Sequence, residues 1–247
     1  MLNISLAQKW LISISFLTLF IAVILITAPI PQDLDYHLLS NNRYRFGIPN
    51  FANVISNLPF TIIGLMGLFL CLNDKSKASL SWLTFFVGLI FVAMGSSYYH
   101  LNPNNQTLVW DRLPMMISFM ALFVALLTEN IPGFNEKPAL PIAILLGFSS
   151  VIYWHYTDDL RFYGFMQLAP LAAIPVILFF YKAQYTHRYY LMYGLLCYLL
   201  AKVFEMADKF FFELSGQLLS GHTIKHLLSA AATYCVYLML KKRQNIQ

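Results

Sequence analysis

The chain has 247 residues, of which 59% are hydrophobic and 11% charged. A soluble domain carries about 25% charged residues, so this composition, with a mean hydropathy of +0.62, excludes an ordinary water-soluble domain and makes lipid the solvent. The net charge of +5 is not gathered into a basic stripe; Lys and Arg fall in short segments between apolar runs, which argues against a nucleic-acid partner and reads as a set of orientation signals.

A spanning helix needs about 20 mostly apolar residues. Eight are predicted in chain order, at roughly 10–28, 52–72, 79–99, 110–128, 139–155, 163–181, 189–208 and 223–240. The first, from Trp10 to Ala28, is longer than the roughly 7–15 residues of a signal-peptide core and is read as an uncleaved span. The fifth is short and the seventh carries charges. Between the first two spans, Pro29 to Phe51 holds Asp33, Asp35, His37, Asn41, Asn42, Arg43 and Arg45, too polar a set for lipid. With the amino terminus inside, Lys9, Lys75, Lys77, Lys137, Lys182, Arg188, Lys241, Lys242 and Arg243 all fall on the cytoplasmic side, so both termini are expected there. Cys71, Cys197 and Cys235 lie far apart in apolar runs and are expected to be buried packing residues, not a disulfide or redox framework.

Polar residues inside a bilayer are costly and usually functional. Under this topology Ser56, Asn57, Ser96, His100, Asp111, Arg112, Gln167, Lys202, Glu205, Asp208, His222 and His226 all fall in the outer half of the membrane. A common depth for residues so far apart in sequence is what one buried site would produce. His222 and His226 are four apart and share a helix face. With His100 they can supply three nitrogens to one zinc ion, leaving its fourth position open. Asp111 is then placed as general base and Ser96 as a hydrogen-bond donor to an oxyanion. Spacing alone leaves simpler readings open: the histidines as interfacial residues, Asp111 as a helix-start residue paired with Arg112, Ser96 as a small packing residue. Lys202, Glu205 and Asp208 read as a structural charge cluster, with Asp208 also a candidate to orient a histidine. His37, His155 and His187 read as loop or interface residues, and Ser56 and Asn57 as contacts to a neighbouring helix.

The segments Gly95-Ser96-Ser97-Tyr98-Tyr99-His100, Asp111-Arg112-Leu113-Pro114-Met115 and His222-Thr223-Ile224-Lys225-His226 together resemble the signature of the alkaline ceramidase family, which is related to the adiponectin-receptor-like proteins. Asn53 to Phe60 resembles the family's first shared helix, and Asp159 to Gly164 with Gln167 resembles its bacterial branch. The resemblance spans about residues 47–240. It implies an all-α, polytopic bundle: a seven-helix hydrolase core over 47–247, preceded here by one extra amino-terminal span and outside loop over 1–46. It also implies zinc held by His100, His222 and His226, with Asp111 and Ser96 as catalytic residues. The implied reaction cleaves the amide of ceramide, or of a related N-acyl lipid, to release a fatty acid. The implied partners are the membrane and the lipid substrate, with no obligate protein partner. The family's acidic calcium site is not expected to be intact, because Asn50 stands at a carboxylate position. Two other readings use the same residues: a heptahelical lipid sensor with a structural zinc, and a transporter relaying charge through Lys202, Glu205 and Asp208.

Overall fold

The computed structural model describes residues 24–74 and 79–246, together with 15, 18, 21 and 22. The expected first span at 10–28 lies largely outside the described residues. Past a short 3-10 turn at Leu34–His37, the chain is helical: α1 (Phe51–Ile55), α2 (Leu58–Asn73), α3 (Leu80–Leu101), α4 (Asn105–Asn130), α5 (Glu136–Thr157), α6 (Arg161–Phe180), α7 (Tyr190–Met206), α8 (Asp208–Leu214) and α9 (Gly221–Lys242). Among the described residues extended pairing is limited to two isolated bridges.

Among the described residues six segments, counting Phe51–Asn73 as one, are long and apolar enough to cross a bilayer, and a seventh is reached if α7 and α8 count as one span. Their outer faces confirm the solvent. Ile62, Phe69, Leu145, Leu168 and Leu200 are each at least half exposed, an arrangement that water would penalise and lipid does not. The chain is an integral, multi-pass membrane protein.

The seventh predicted span needs correction. It was expected to run through 208, but α7 ends at Met206 and the chain turns by 84° into α8. Asp208 therefore opens a separate short helix. The fourth span begins earlier than its apolar run suggested. Asn104 caps it, accepting from the backbone of Gln106 and Thr107 while the Thr107 hydroxyl accepts from the Asn104 backbone, a reciprocal cap that satisfies donors otherwise orphaned at a helix start.

Helices α2, α3, α4, α6, α7 and α9 form a ring, with α5 packed outside against α4 and α6; the α6–α7 seam is sparse. Inside the ring lies a cavity of about 130 Å³. Its walls include Phe60, Phe85, Leu122, Ile174 and Leu195, and one end is polar, formed by Ser96, Asp111, Lys225 and His226. Cys197 of α7 and Cys235 of α9 are half-buried on these two neighbouring helices. They are free thiols that the sequence placed in unrelated runs.

A proline and a glycine set the approach of α3 to α4. Pro114 lacks the N–H that would bond the Trp110 carbonyl one turn back. That carbonyl packs against Gly95, so closely that a Cβ there would stand 2.0 Å from the oxygen. Ser96 and Asp111, the next residues on each helix, are thereby brought together. Gly95→Ala is expected to force the two helices apart at a cost of about 1–3 kcal/mol, seen as a lowered unfolding temperature in detergent together with loss of the Ser96–Asp111 contact.

The segment before α1 docks on the bundle as a strap. The Leu160 backbone N–H donates to the Ile30 carbonyl (2.8 Å), and the Gln32 N–H donates to Asp158 (2.9 Å). Arg161 grips the Asp159 carboxylate and also reaches the Ile24 and Thr27 carbonyls. The Arg161 guanidinium hydrogen bonds hold the Asp159 carboxyl down at about 2, below the usual aspartate value near 3.9. A depressed carboxylate stabilises the folded state above its ordinary pKa, and that contribution is lost as pH falls through the folded value. The unfolding temperature of the wild type is therefore expected to drop between about pH 4 and 2 more steeply than that of Asp159→Asn, which has no carboxylate to protonate.

Candidate metal centre and its surroundings

His100 lies in the last turn of α3, and His222 and His226 lie in the first two turns of α9. The three are almost fully buried, and each pair of rings has centroids 4.9 Å apart. One ligand nitrogen from each lies within 4.8 Å of the others, the one group of three or more potential metal ligands found among the described residues. Asp33 and Asp35 are not part of such a group; the Asp33 carboxylate instead accepts from the Asp35 backbone N–H.

Neighbouring hydrogen bonds set the ring tautomers. The Ser56 hydroxyl donates its one proton to the Asn53 carbonyl (2.9 Å) and so must accept from His226 Nδ1, 2.7 Å away. This leaves the His226 Nε2 lone pair bare, 3.2 Å from His100 Nε2. Two nitrogens held at 2.0–2.1 Å by one tetrahedral zinc stand about 3.3 Å apart. The Lys225 ammonium donates toward His222 Nε2 (3.3 Å), so that nitrogen carries a lone pair as well. His222 and His226 thus point lone pairs inward beside His100 Nε2, and three converging imidazoles are a donor set that suits a zinc-like dication.

Backbone contacts fix the frame. Asp208 accepts from the His222 N–H (2.6 Å) and from the Ser40 N–H (3.0 Å). It caps α9 and ties the strap, but it holds the histidine's backbone and not its ring. The Thr223 hydroxyl donates to Asn53 (2.7 Å), linking α9 to α1. The Asn50 side-chain amide donates to the His100 carbonyl (2.8 Å). A carboxylate at Asn50 would face that oxygen with like charge, so this position serves the histidine frame with an amide.

Asp111 is buried on α4 and lines the cavity beside Ser96, which is buried on α3. Arg112 faces elsewhere. Its guanidinium donates to Gln32 (2.5 Å) and stacks on Trp154 (3.9 Å) and Tyr163 (4.7 Å), a cation–π arrangement worth about 2 kcal/mol when desolvated. Arg112 thus anchors the strap. Gln167 donates to the Tyr163 hydroxyl and belongs to this neighbouring group.

Three features escaped the sequence reading. Tyr36 of the strap lies over the centre, edge-on to the His222 ring at 6.2 Å, and donates to Glu205 (2.9 Å). Burial and the Glu205 charge hold its phenol well above the usual tyrosine range, so it stays protonated. His37 clasps the Tyr99 hydroxyl and Asn105, both at 2.9 Å. Glu205 pairs with Lys202, as expected of that charge cluster, and also, at 2.8 Å, with Lys225, which the sequence reading did not join to it.

The family model described as Ceramidase matches residues 41–245. The chain belongs to the ceramidase family. Membership implies a membrane amidohydrolase, and the match covers every helix that forms the histidine centre. A search of curated proteins finds none that matches.

Ser56→Ala removes the group that fixes the His226 tautomer. Loss of such a support typically costs about 10–100-fold in metal affinity. That drop is the expected result of a competitive chelator titration, with the helical content unchanged.

Proposed function

We propose that this ceramidase is a zinc-dependent hydrolase that cleaves the amide of ceramide, or of a related N-acyl lipid, to a fatty acid and an amine. The observation that carries the reading is the convergence of three buried imidazoles within 4.8 Å, beside the Asp111–Ser96 pair, at the polar end of an otherwise apolar cavity. His100, His222 and His226 would hold the metal. Zinc held there would supply Lewis acidity, able to polarise a carbonyl and to lower the pKa of a water toward 7.

The remaining chemistry belongs to the chain. Asp111 takes a proton from the attacking water and passes it to the departing amine nitrogen. Ser96 keeps the Asp111 carboxylate aimed at the reacting atoms. The apolar ring accepts the acyl chain and excludes water, which strengthens each charge interaction at the polar end. The substrate enters from the bilayer. The distribution of Lys and Arg puts both termini in the cytoplasm and the site toward the opposite face.

The test is purified protein, metal content measured per chain, and fatty-acid release followed by mass spectrometry across a panel of ceramides and other N-acyl lipids. One zinc per chain and chelator-sensitive release are expected. Release that persists in metal-free protein would overturn the reading.

A further inference from the structure

The polar end of the cavity that holds Ser96 and Asp111 also holds an ammonium to which the proposed mechanism gives no role. Lys225 is one turn along α9 from His222 and immediately before His226. Its side chain is 16% exposed, its ammonium is 2.8 Å from Glu205 Oε1 and 3.3 Å from His222 Nε2, and it lines the cavity alongside Asp111 and His226. An ammonium has three protons to give. One goes to Glu205. A second goes to the His222 lone pair, which can serve only one partner; a cation bound there would return that proton to the cavity. Lys202, also paired with Glu205, leaves the Lys202–Glu205–Lys225 cluster with two positive charges and one negative. The buried cationic end of this cluster is Lys225.

We infer that Lys225 is the oxyanion-binding cation of this ceramidase: it donates to the oxygen of the scissile carbonyl as that oxygen turns negative, and then to the carboxylate of the fatty-acid product. The catalytic half of this inference rests on the hydrolase reading; the anion-binding half does not. During hydrolysis the water oxygen bonds to the carbonyl carbon, the C–N bond breaks, and its electron pair leaves with the amine nitrogen, which takes up a proton. Lys225 exchanges no proton. It supplies a fixed positive charge in a site shielded from water, where such a donor acts most strongly.

The test uses full-length protein freed of metal with a chelator and titrated with a long-chain fatty acid or with the alcohol of equal chain length. Asp111 and Glu205 both repel an acid, so preference for the acid is the signature of the lysine. Wild type should bind the acid at least tenfold more tightly than the alcohol. Lys225→Met should lose that preference while binding the alcohol as before, and Lys225→Arg should keep most of it. Glu205→Gln should retain or strengthen it, since the lysine loses a competitor. Equal binding of acid and alcohol by wild type would overturn the inference, as would an unchanged preference in Lys225→Met. An equal loss in Glu205→Gln would also overturn it, because the lysine would then be only a structural partner. In the metal-loaded protein Lys225→Met should lower kcat at least tenfold with KM little changed and zinc content intact. A wild type that discriminates acid from alcohol but hydrolyses nothing would sink the hydrolase reading and leave the anion site standing.

Discussion

His222→Ala is expected to abolish metal binding and turnover together in a protein that still folds. The ring is one of three that converge, and two remaining nitrogens do not hold zinc tightly in competition with water. Metal affinity should fall by more than the ~100-fold that loss of a mere supporting group produces. Lewis acidity contributes several kcal/mol to the barrier, so removing it should slow turnover by about a thousandfold or more. The fold survives because its ties at this point are backbone ties. Asp208 still accepts from the residue 222 N–H, and Thr223 still donates to Asn53. Metal analysis, turnover and circular dichroism on one preparation check all three parts. A His222→Ala protein that kept one zinc per chain would place the metal elsewhere.

Comparing that variant with Ser56→Ala separates the ligand from its support. Among the three histidines Ser56 hydrogen-bonds only to the far nitrogen of His226, so its loss leaves all three donors present and merely frees a tautomer. The two substitutions should therefore differ by more than an order of magnitude in metal affinity although their side chains are neighbours in space.

The spacing of the histidines, the common depth of the polar residues and the composition of the spans were legible because each is a local pattern with a physical period. What the sequence hid was pairing across long separations. Ser56 and His226 are 170 residues apart, and Tyr36 and Glu205 are 169 apart; no periodicity links them. Tyr36 and His37 sit in a segment without helical or strand repeat, so nothing marked the strap as a cover over the centre. Lys225 was the nearest miss. It is at i+3 from His222 and hence on a neighbouring strip of the same helix face, but attention to the His-x-x-x-His spacing treated it as filler. The early start of α4 was missed because Asn104 to Thr107 is polar, although Asn followed by Thr at N3 is itself a cap signal. The end of α7 lies two residues before the expected boundary, and only the 84° turn makes Asp208 the start of a separate helix instead of the last residue of the span.

Asp111→Asn is the variant that distinguishes an enzyme from a zinc-stabilised lipid sensor. Asn is nearly isosteric, so the packing of α3 on α4 around Gly95 is preserved. None of the three metal-ligand candidates is touched, so zinc should remain at one per chain. What disappears is a carboxylate able to accept a proton from water. Loss of a positioned general base costs about 10²–10⁴ in rate, and turnover should fall within that range while substrate affinity changes little. A sensor would behave differently: with metal and cavity intact, lipid binding would persist and there would be no turnover to lose in the wild type. If Asp111→Asn hydrolysed its lipid at the wild-type rate, the proton would have to be taken by another group. Glu205 is then the carboxylate to test, since it lies at the same end of the bundle, but its ties to Tyr36, Lys202 and Lys225 leave it far less free to accept one than Asp111, which lines the cavity beside Ser96.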